Sequence, residues 1–229
     1  MKKLSKRFSL EKKKINKTFL YNLPDAISLL KSTASAKFNE SVEAHFSLNL
    51  DTKYSDQQLR ATVILPHGIG KTRRIAALIM PEKFDEAKLA GADIVGAEDL
   101  IESISKGIID FDLLITTSEM MPKLAKLGRV LGPKGLMPSP KAGTVTSTLK
   151  STIQEFKKGK IEYRTDKTGN VHVCFGKADF AAENLIENFK AFFNSIETNK
   201  PSGVKGKYIK RLTLCSTMGP AVYLNPITF

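Results

Sequence analysis

Gly70-Lys71-Thr72, inside HGIGKTR, is the run in this sequence that most invites a catalytic reading, because such a turn can wrap a nucleotide phosphate. The phosphate loop needs a further glycine five residues before Gly70, where Leu65 stands, and a helix afterwards, where RRIAALIM reads as a strand. Nucleotide hydrolysis is therefore excluded. His45, His67 and His172 are scattered along the chain and share no metal-ligand spacing with the cysteines or carboxylates. No nucleophile and base fall within one motif either, although residues distant in sequence can meet in a fold. The expectation is a protein without catalytic residues, bound metal or cofactor.

The residues that remain suit a polyanion. From Gly128 to Val145 the chain reads GRVLGPKGLMPSPKAGTV, with four glycines, three prolines and the cations Arg129, Lys134 and Lys141, but no acidic side chain. Proline removes a backbone donor and glycine adds freedom, so no regular helix or strand is expected here. The segment reads either as an ordered, inert connection or as a loop whose cations and accessible amides face phosphate. Lys37-Phe38 joins a phosphate-directed cation to a ring able to cover a sugar or base; the other reading is a core phenylalanine beside a solvated lysine. Ser216-Thr217-Met218-Gly219-Pro220 ends a strand at a tight turn. There the hydroxyls can address ribose and Gly219 permits close backbone approach, or ordinary turn chemistry suffices. Glu43 is either an acceptor for a base amine or an isolated solvated carboxylate.

Charge agrees with a polyanionic partner. The 229 residues carry a net +13 with a pI near 9.6, favouring nucleic acid first and an anionic membrane second. No apolar run approaches the roughly 20 residues that a spanning helix needs, so no membrane partner is expected. With 41% hydrophobic residues the chain can bury a sizeable core, as one large domain or two small ones. Residues 1–17 hold seven lysines and Arg7 against Glu11, a net of +7. They read as a basic arm or a solvated tail, not a targeting peptide, because serine richness and an apolar run are missing. Residues 66–119 sum to −4 and residues 120–160 to +8, so one end of this middle region should face a polyanion and the other should not. Cys174 and Cys215 lie in alternating strand-like contexts and read as free buried thiols in a reducing compartment. Of the 36 basic residues 29 are lysine, which with abundant Asn and Ile points to an AT-rich coding genome such as an algal plastid's.

Elements must position these groups. Asn22-Leu23-Pro24-Asp25 predicts a helix start, with Ala26, Leu29, Leu30 and Thr33 on its apolar face. From Ser41 to Leu50 apolar and polar residues alternate strictly, predicting a half-buried antiparallel strand with one polar face available. Arg60 to Leu65 is a second strand, ended by Pro66. From Arg74 the pattern changes: strands at 74–80, 93–95 and 111–116 alternate with helices at 82–90, 97–106 and from 118 toward 127. This predicts a parallel sheet covered by helices, a small Rossmann-like unit that lacks a dinucleotide turn. A helix over 148–157 follows, and then strands at 160–164 and 171–175 flank the turn DKTGN. An amphipathic helix over 179–196 and a strand over 207–216 complete the chain. The fold class is α/β, an α+β outer domain from residues 1–66 and 159–229 with an inserted Rossmann-like α/β domain of residues 67–158.

GRVLGPKGLMPSPKAGTV resembles the signature of the ribosomal protein L-one family, the protein of the mobile stalk beside the tRNA exit site of the large subunit. Other segments match that family in order: AKFNESVEAHFSL from Ala36, ATVILPHGIGK from Ala61, AGADIVGAEDL from Ala90, DKTGNVHV from Asp166, KPSGVKGKY from Lys200 and STMGPA from Ser216. The resemblance implies two domains joined by a double hinge, no enzymatic activity, and large-subunit rRNA, exit-site tRNA and other parts of the ribosome as partners. It also implies help in the departure of deacylated tRNA and, from bacterial relatives, repression of its own mRNA. The implied RNA site lies in the outer domain at Lys37, Phe38, Ser41 and Glu43, and at Ser216, Thr217, Met218 and Gly219. The nearby hairpin adds Arg164, Lys167, Thr168 and His172. The expected location is a ribosome in the plastid (chloroplast) stroma, with the bacterial cytoplasm as the alternative. The other functional reading is a free-standing RNA-binding regulator away from the ribosome. The basic arm and Tyr223 to Phe229 match no motif, and nothing is carried over to them.

Overall fold

A computed structural model of the chain describes residues 5–204 and 206–226. Residues 1–4 of the basic arm, Lys205 of the KPSGVKGKY segment and residues 227–229 of the C-terminal tail lie outside them. In chain order, helices α1 (Lys6–Lys13) and α2 (Leu23–Thr33) precede strands β1 (Ser41–Leu48), β2 (Arg60–Ile64) and β3 (Ile75–Leu78). Helix α3 (Phe84–Ala90), strand β4 (Ile94–Gly96), helix α4 (Glu98–Ser105) and strand β5 (Leu113–Thr116) follow. Helices α5 (Met121–Ala125), α6 (Gly128–Leu131) and α7 (Leu149–Lys158) lead to strands β6 (Lys160–Arg164) and β7 (Asn170–Lys177). Helix α8 (Ala182–Thr198) and strands β8 (Ile209–Ser216) and β9 (Val222–Leu224) end the chain. The chain divides into two compact units, residues 1–70 with 161–229 and residues 71–160.

The first unit is built on a four-stranded antiparallel sheet of order β7-β1-β8-β9. Strict alternation in β1 puts Val42, Ala44, Phe46 and Leu48 on the buried face and Ser41, Glu43, His45 and Ser47 on the other. Helices α2 and α8 cover the apolar face only. In α8 the residues Leu185, Phe189, Phe192, Phe193 and Ile196 fall on one stripe at helical spacing, and all are buried. Phe46 meets Phe192 edge-on at 5.2 Å between ring centroids and stacks with Phe189 at 6.1 Å, so helix and central strand are locked by aromatic packing. The opposite face of the sheet is left with its polar side chains uncovered by either helix.

In the second unit the parallel sheet has the order β4-β3-β5. Strand β3 is buried on both faces, because alternate residues serve two separate cores. Ala76 and Leu78 pack with Leu100, Ile104, Leu124 and Leu131, whereas Ile75 and Ala77 pack with Ala87, Ile153 and Phe156. Helices on both faces are what a parallel sheet requires.

One expectation is corrected, and two stretches that had no assigned element gain one. The Gly128–Val145 segment does contain regular structure: Gly128–Leu131 forms a turn of α-helix and Pro140–Ala142 a turn of 3-10 helix, while Val145 bridges to Thr116. The prolines begin only at Pro133, so the amides of Leu131 and Gly132 are free to bond Leu127 and Gly128, and Leu131 is fully buried. The basic arm is helical from Lys6, with Ser5 Oγ accepting the Phe8 amide as an N-cap and Glu11 only 8% exposed. The C-terminal stretch, which matches no motif, supplies β9, whose Tyr223 carbonyl accepts the Tyr21 amide.

Candidate nucleic-acid interface

The first cluster is organised by a residue that the sequence does not single out. Glu40 lies just before β1 and is 1% exposed. Its Oε1 accepts the Ala36 amide at 2.9 Å, and its Oε2 accepts the Ser216 hydroxyl at 2.7 Å and the Met218 amide at 2.9 Å. One carboxylate therefore joins the Ala36-Lys37-Phe38 loop to the Ser216–Gly219 turn. Burial pushes this carboxyl up, but the Met218 and Ala36 amides, the Ser216 hydroxyl and the nearby Arg7 charge together hold it below its ordinary value. Arg7, from α1, donates to the Met218 carbonyl at 3.2 Å and to Ser35 Oγ at 3.3 Å. The basic arm thus reaches the same turn.

Above this anchor the exposed groups are those that a nucleic acid can use. Lys37 is exposed, Phe38 is 54% exposed and Met218 is 49% exposed, so the core reading of Phe38 is removed. The hydroxyls are largely occupied. Ser216 is 2% exposed and spends its proton on Glu40, so it cannot address ribose. Thr217 Oγ1 accepts the Ser41 amide at 3.0 Å while the Thr217 amide donates to the Ser41 carbonyl, extending the pairing of β1 with β8. Lys177 donates to Ser41 Oγ at 2.9 Å. At Gly219 the close approach is internal, since a Cβ there would stand 2.3 Å from Ser216 Oγ.

The second cluster surrounds the hairpin between β6 and β7. Arg60, Arg164, Lys167 and His172 line an open groove of about 720 Å³ together with Glu162 and Asp166. The expected turn at Gly169 is present, with positive φ, and Asp166 holds it together. Asp166 accepts the Thr168 amide, the Thr168 hydroxyl and the Asn170 amide, each at 2.8 Å, so Thr168 is a turn residue and not a free donor. Burial acts to raise the Asp166 carboxyl, yet these bonds outweigh it and bring it down to about 2. Asp166→Ala is expected to cost about 1 to 2 kcal/mol at neutral pH; the lost turn bonds set this size, because the carboxylate itself is largely in water. A depressed carboxyl stabilises above its unfolded value and loses that contribution as pH falls through its folded one. The difference between wild type and variant should therefore close as pH falls from 3.8 toward about 2. Denaturant unfolding at stepped pH measures it, and equal stabilities at pH 7 would refute the assignment.

Between the clusters lies the polar sheet face. His45 Nδ1 stands 2.8 Å from His172 Nδ1, and its Nε2 lies 3.0 Å from Cys215 Sγ and 3.8 Å from Glu43 Oε2. Glu43 is thus not an isolated carboxylate. Burial, then His172, lowers the His45 value against the pull of Glu43, and burial with Glu43 pushes the Cys215 thiol up to about 11. Both shifts favour the uncharged form. Cys174 and Cys215 are free, as expected, but half-buried on this polar face, not in the core. In the second unit Arg129, Lys134 and Lys141 are all exposed. Among the described residues no helix is long and apolar enough to cross a membrane.

Fold and surface define a class: a basic α/β protein of two units whose candidate site is made of cations, amides and exposed apolar side chains, the materials of a binding surface. The model of the Ribosomal protein L1p/L10e family matches residues 30–220. The chain is 61% identical over 225 residues to the Large ribosomal subunit protein uL1c of Trieres chinensis, covering 98% of each. It is 56% identical over 225 residues to the Large ribosomal subunit protein uL1 of Prochlorococcus marinus (strain AS9601), covering 98% of this chain and 95% of that one. A further uL1c, from Rhodomonas salina, is 59% identical over 205 residues, covering 90% of this chain and 88% of the relative. The chain belongs to the Ribosomal protein L1p/L10e family; it is a structural protein of a ribosome and not an enzyme.

Proposed function

We propose that this chain is a constituent of the large subunit of a plastid ribosome in the stroma, and that it binds large-subunit rRNA through its first unit. The observation that carries this reading is the patch of exposed Phe38 and Met218, ringed by Lys37, Arg7 and Lys177 and tied to the buried Glu40. Cations there meet phosphate, and the phenylalanine ring offers a stacking face for an unpaired base. The groove with Arg60, Arg164 and Lys167, toward the other end of β1, offers further cations to the same partner. Likeness to the family supports the finer parts of the same proposal, the release of deacylated tRNA from the exit site and repression of its own mRNA. The exposed cations Arg129, Lys134 and Lys141 give the second unit its own surface for RNA.

Titration of the full chain with a stalk fragment of the large-subunit rRNA at several salt concentrations tests the proposal. Lys37→Ala is expected to weaken binding and to lower the salt slope by roughly 0.7 to 0.9, the value of one released counterion. A slope and affinity unchanged at every salt concentration would remove Lys37 from the interface. Co-sedimentation with large subunits through a high-salt wash should accompany it; a chain found only off the ribosome would favour a free regulator.

A further inference from the structure

We propose that Glu43, His45 and Cys215 form a binding site for a thiophilic divalent cation of the Zn²⁺ class, on the polar sheet face between the two clusters. The topology makes the convergence. Glu43 and His45 are two residues apart in β1 and so share a face, and Cys215 in β8 stands opposite Glu43 in the strand register. Their ligand atoms, Oε, Nε2 and Sγ, all lie within 4.8 Å of one another. Tetrahedral zinc with one sulfur, one nitrogen and one oxygen ligand holds those atoms about 3.4 to 3.6 Å apart. The observed 3.0 Å from His45 Nε2 to Cys215 Sγ and 3.8 Å from Nε2 to Glu43 Oε2 bracket that spacing.

The surroundings prepare the imidazole for this role. For Nε2 to offer its lone pair, the proton must sit on Nδ1, and Nδ1 faces His172 Nδ1 at 2.8 Å. His172 then accepts at Nδ1 and carries its own proton on Nε2, which points to Asp166 Oδ2 at 3.6 Å. A zinc-ligating histidine usually donates its other N–H to an acceptor that fixes the ring, a carboxylate, carbonyl or water, and here the second histidine takes that place. In that tautomer, and without metal, the Cys215 thiol is the donor to His45 Nε2. Binding replaces that shared proton: Zn²⁺ forms bonds to Sγ, Nε2 and the Glu43 carboxylate, and one proton leaves to solvent. The dication, thiolate and carboxylate sum to zero charge, which suits a half-buried position. A thiolate and an imidazole select Zn²⁺ over Mg²⁺, which requires oxygen ligands. The three protein ligands leave a fourth position for water.

Titration of the full-length protein with Co²⁺, as a coloured stand-in for Zn²⁺, should give a thiolate-to-cobalt charge-transfer band in the near ultraviolet, and Zn²⁺ should abolish it. The band is expected to disappear in Cys215→Ser and in His45→Gln and to persist in Cys174→Ser. If a variant fails to fold, alkylation of the wild-type chain decides. Zn²⁺ should slow modification of Cys215 by about tenfold or more in peptide mass mapping, with Cys174 changed far less. Absence of the band, its survival in Cys215→Ser, or equal protection of both cysteines would overturn the proposal.

Discussion

Glu40→Ala is expected to destabilise the protein by about 3 kcal/mol, the largest effect of any single change near the interface. The side chain is buried and accepts from three donors, the Ala36 amide, the Ser216 hydroxyl and the Met218 amide. Alanine leaves those donors without acceptors in a place that water reaches poorly, and each such loss costs about 1 to 3 kcal/mol before the site relaxes. Glu40→Gln keeps one acceptor oxygen but turns an amide NH₂ toward a donor, and should fall between alanine and wild type. The sign with pH follows from the depressed carboxyl. The contribution of Glu40 is complete above its ordinary value of 4.5 and fades as pH falls through its lower folded value. Thermal and denaturant unfolding measure both variants. A Glu40→Ala protein as stable as wild type would mean that the two loops are held by other contacts.

Phe38→Ala is expected to lower affinity for the stalk rRNA by about ten- to a hundredfold, with folding and salt slope unchanged. At 54% exposure the ring contributes little to the core. Base stacking on an aromatic side chain contributes about 1 to 3 kcal/mol, and it carries no charge that salt could screen. Phe38→Leu separates stacking from simple apolar cover: it should recover only part of the loss. Direct titration at two salt concentrations gives both quantities. Wild-type affinity in Phe38→Ala would move the recognition surface to the groove at Arg164 and Lys167.

Much of the fold could be read in advance because it depends on near-neighbour periodicity. The alternation from Ser41 onward requires one buried and one polar face whatever packs on it, and β1 has that pattern. The apolar stripe of α8 and the parallel sheet of order β4-β3-β5 follow from repeats equally local. Where the residues left two readings open, a distant partner decided. Composition alone describes residues 1–17 as a basic arm or a solvated tail; Glu11 is buried there and Arg7 finds the Met218 carbonyl 211 residues away, which favours a docked arm.

The candidate site divides along the same line. A cation beside a ring at Lys37-Phe38, and a strand-ending turn at Thr217-Met218-Gly219, are properties of short segments, and the sequence displays them by residue type and spacing; that the ring is exposed and not in the core is decided by the fold. The role of each hydroxyl is not such a property. Ser216 and Thr217 are chemically alike and adjacent, yet one is buried against Glu40 and the other pairs with Ser41 at the sheet edge. Likewise no spacing along the chain joins Glu43 and His45 to Cys215. Hydrogen bonds act over about 3 Å, and only the antiparallel register of β8 with β1 brings these side chains within that reach. Sequence by itself determined which face of β1 is polar and which segments carry exposed charge; the tertiary structure decided which of those polar groups are already satisfied and which remain to meet a ligand.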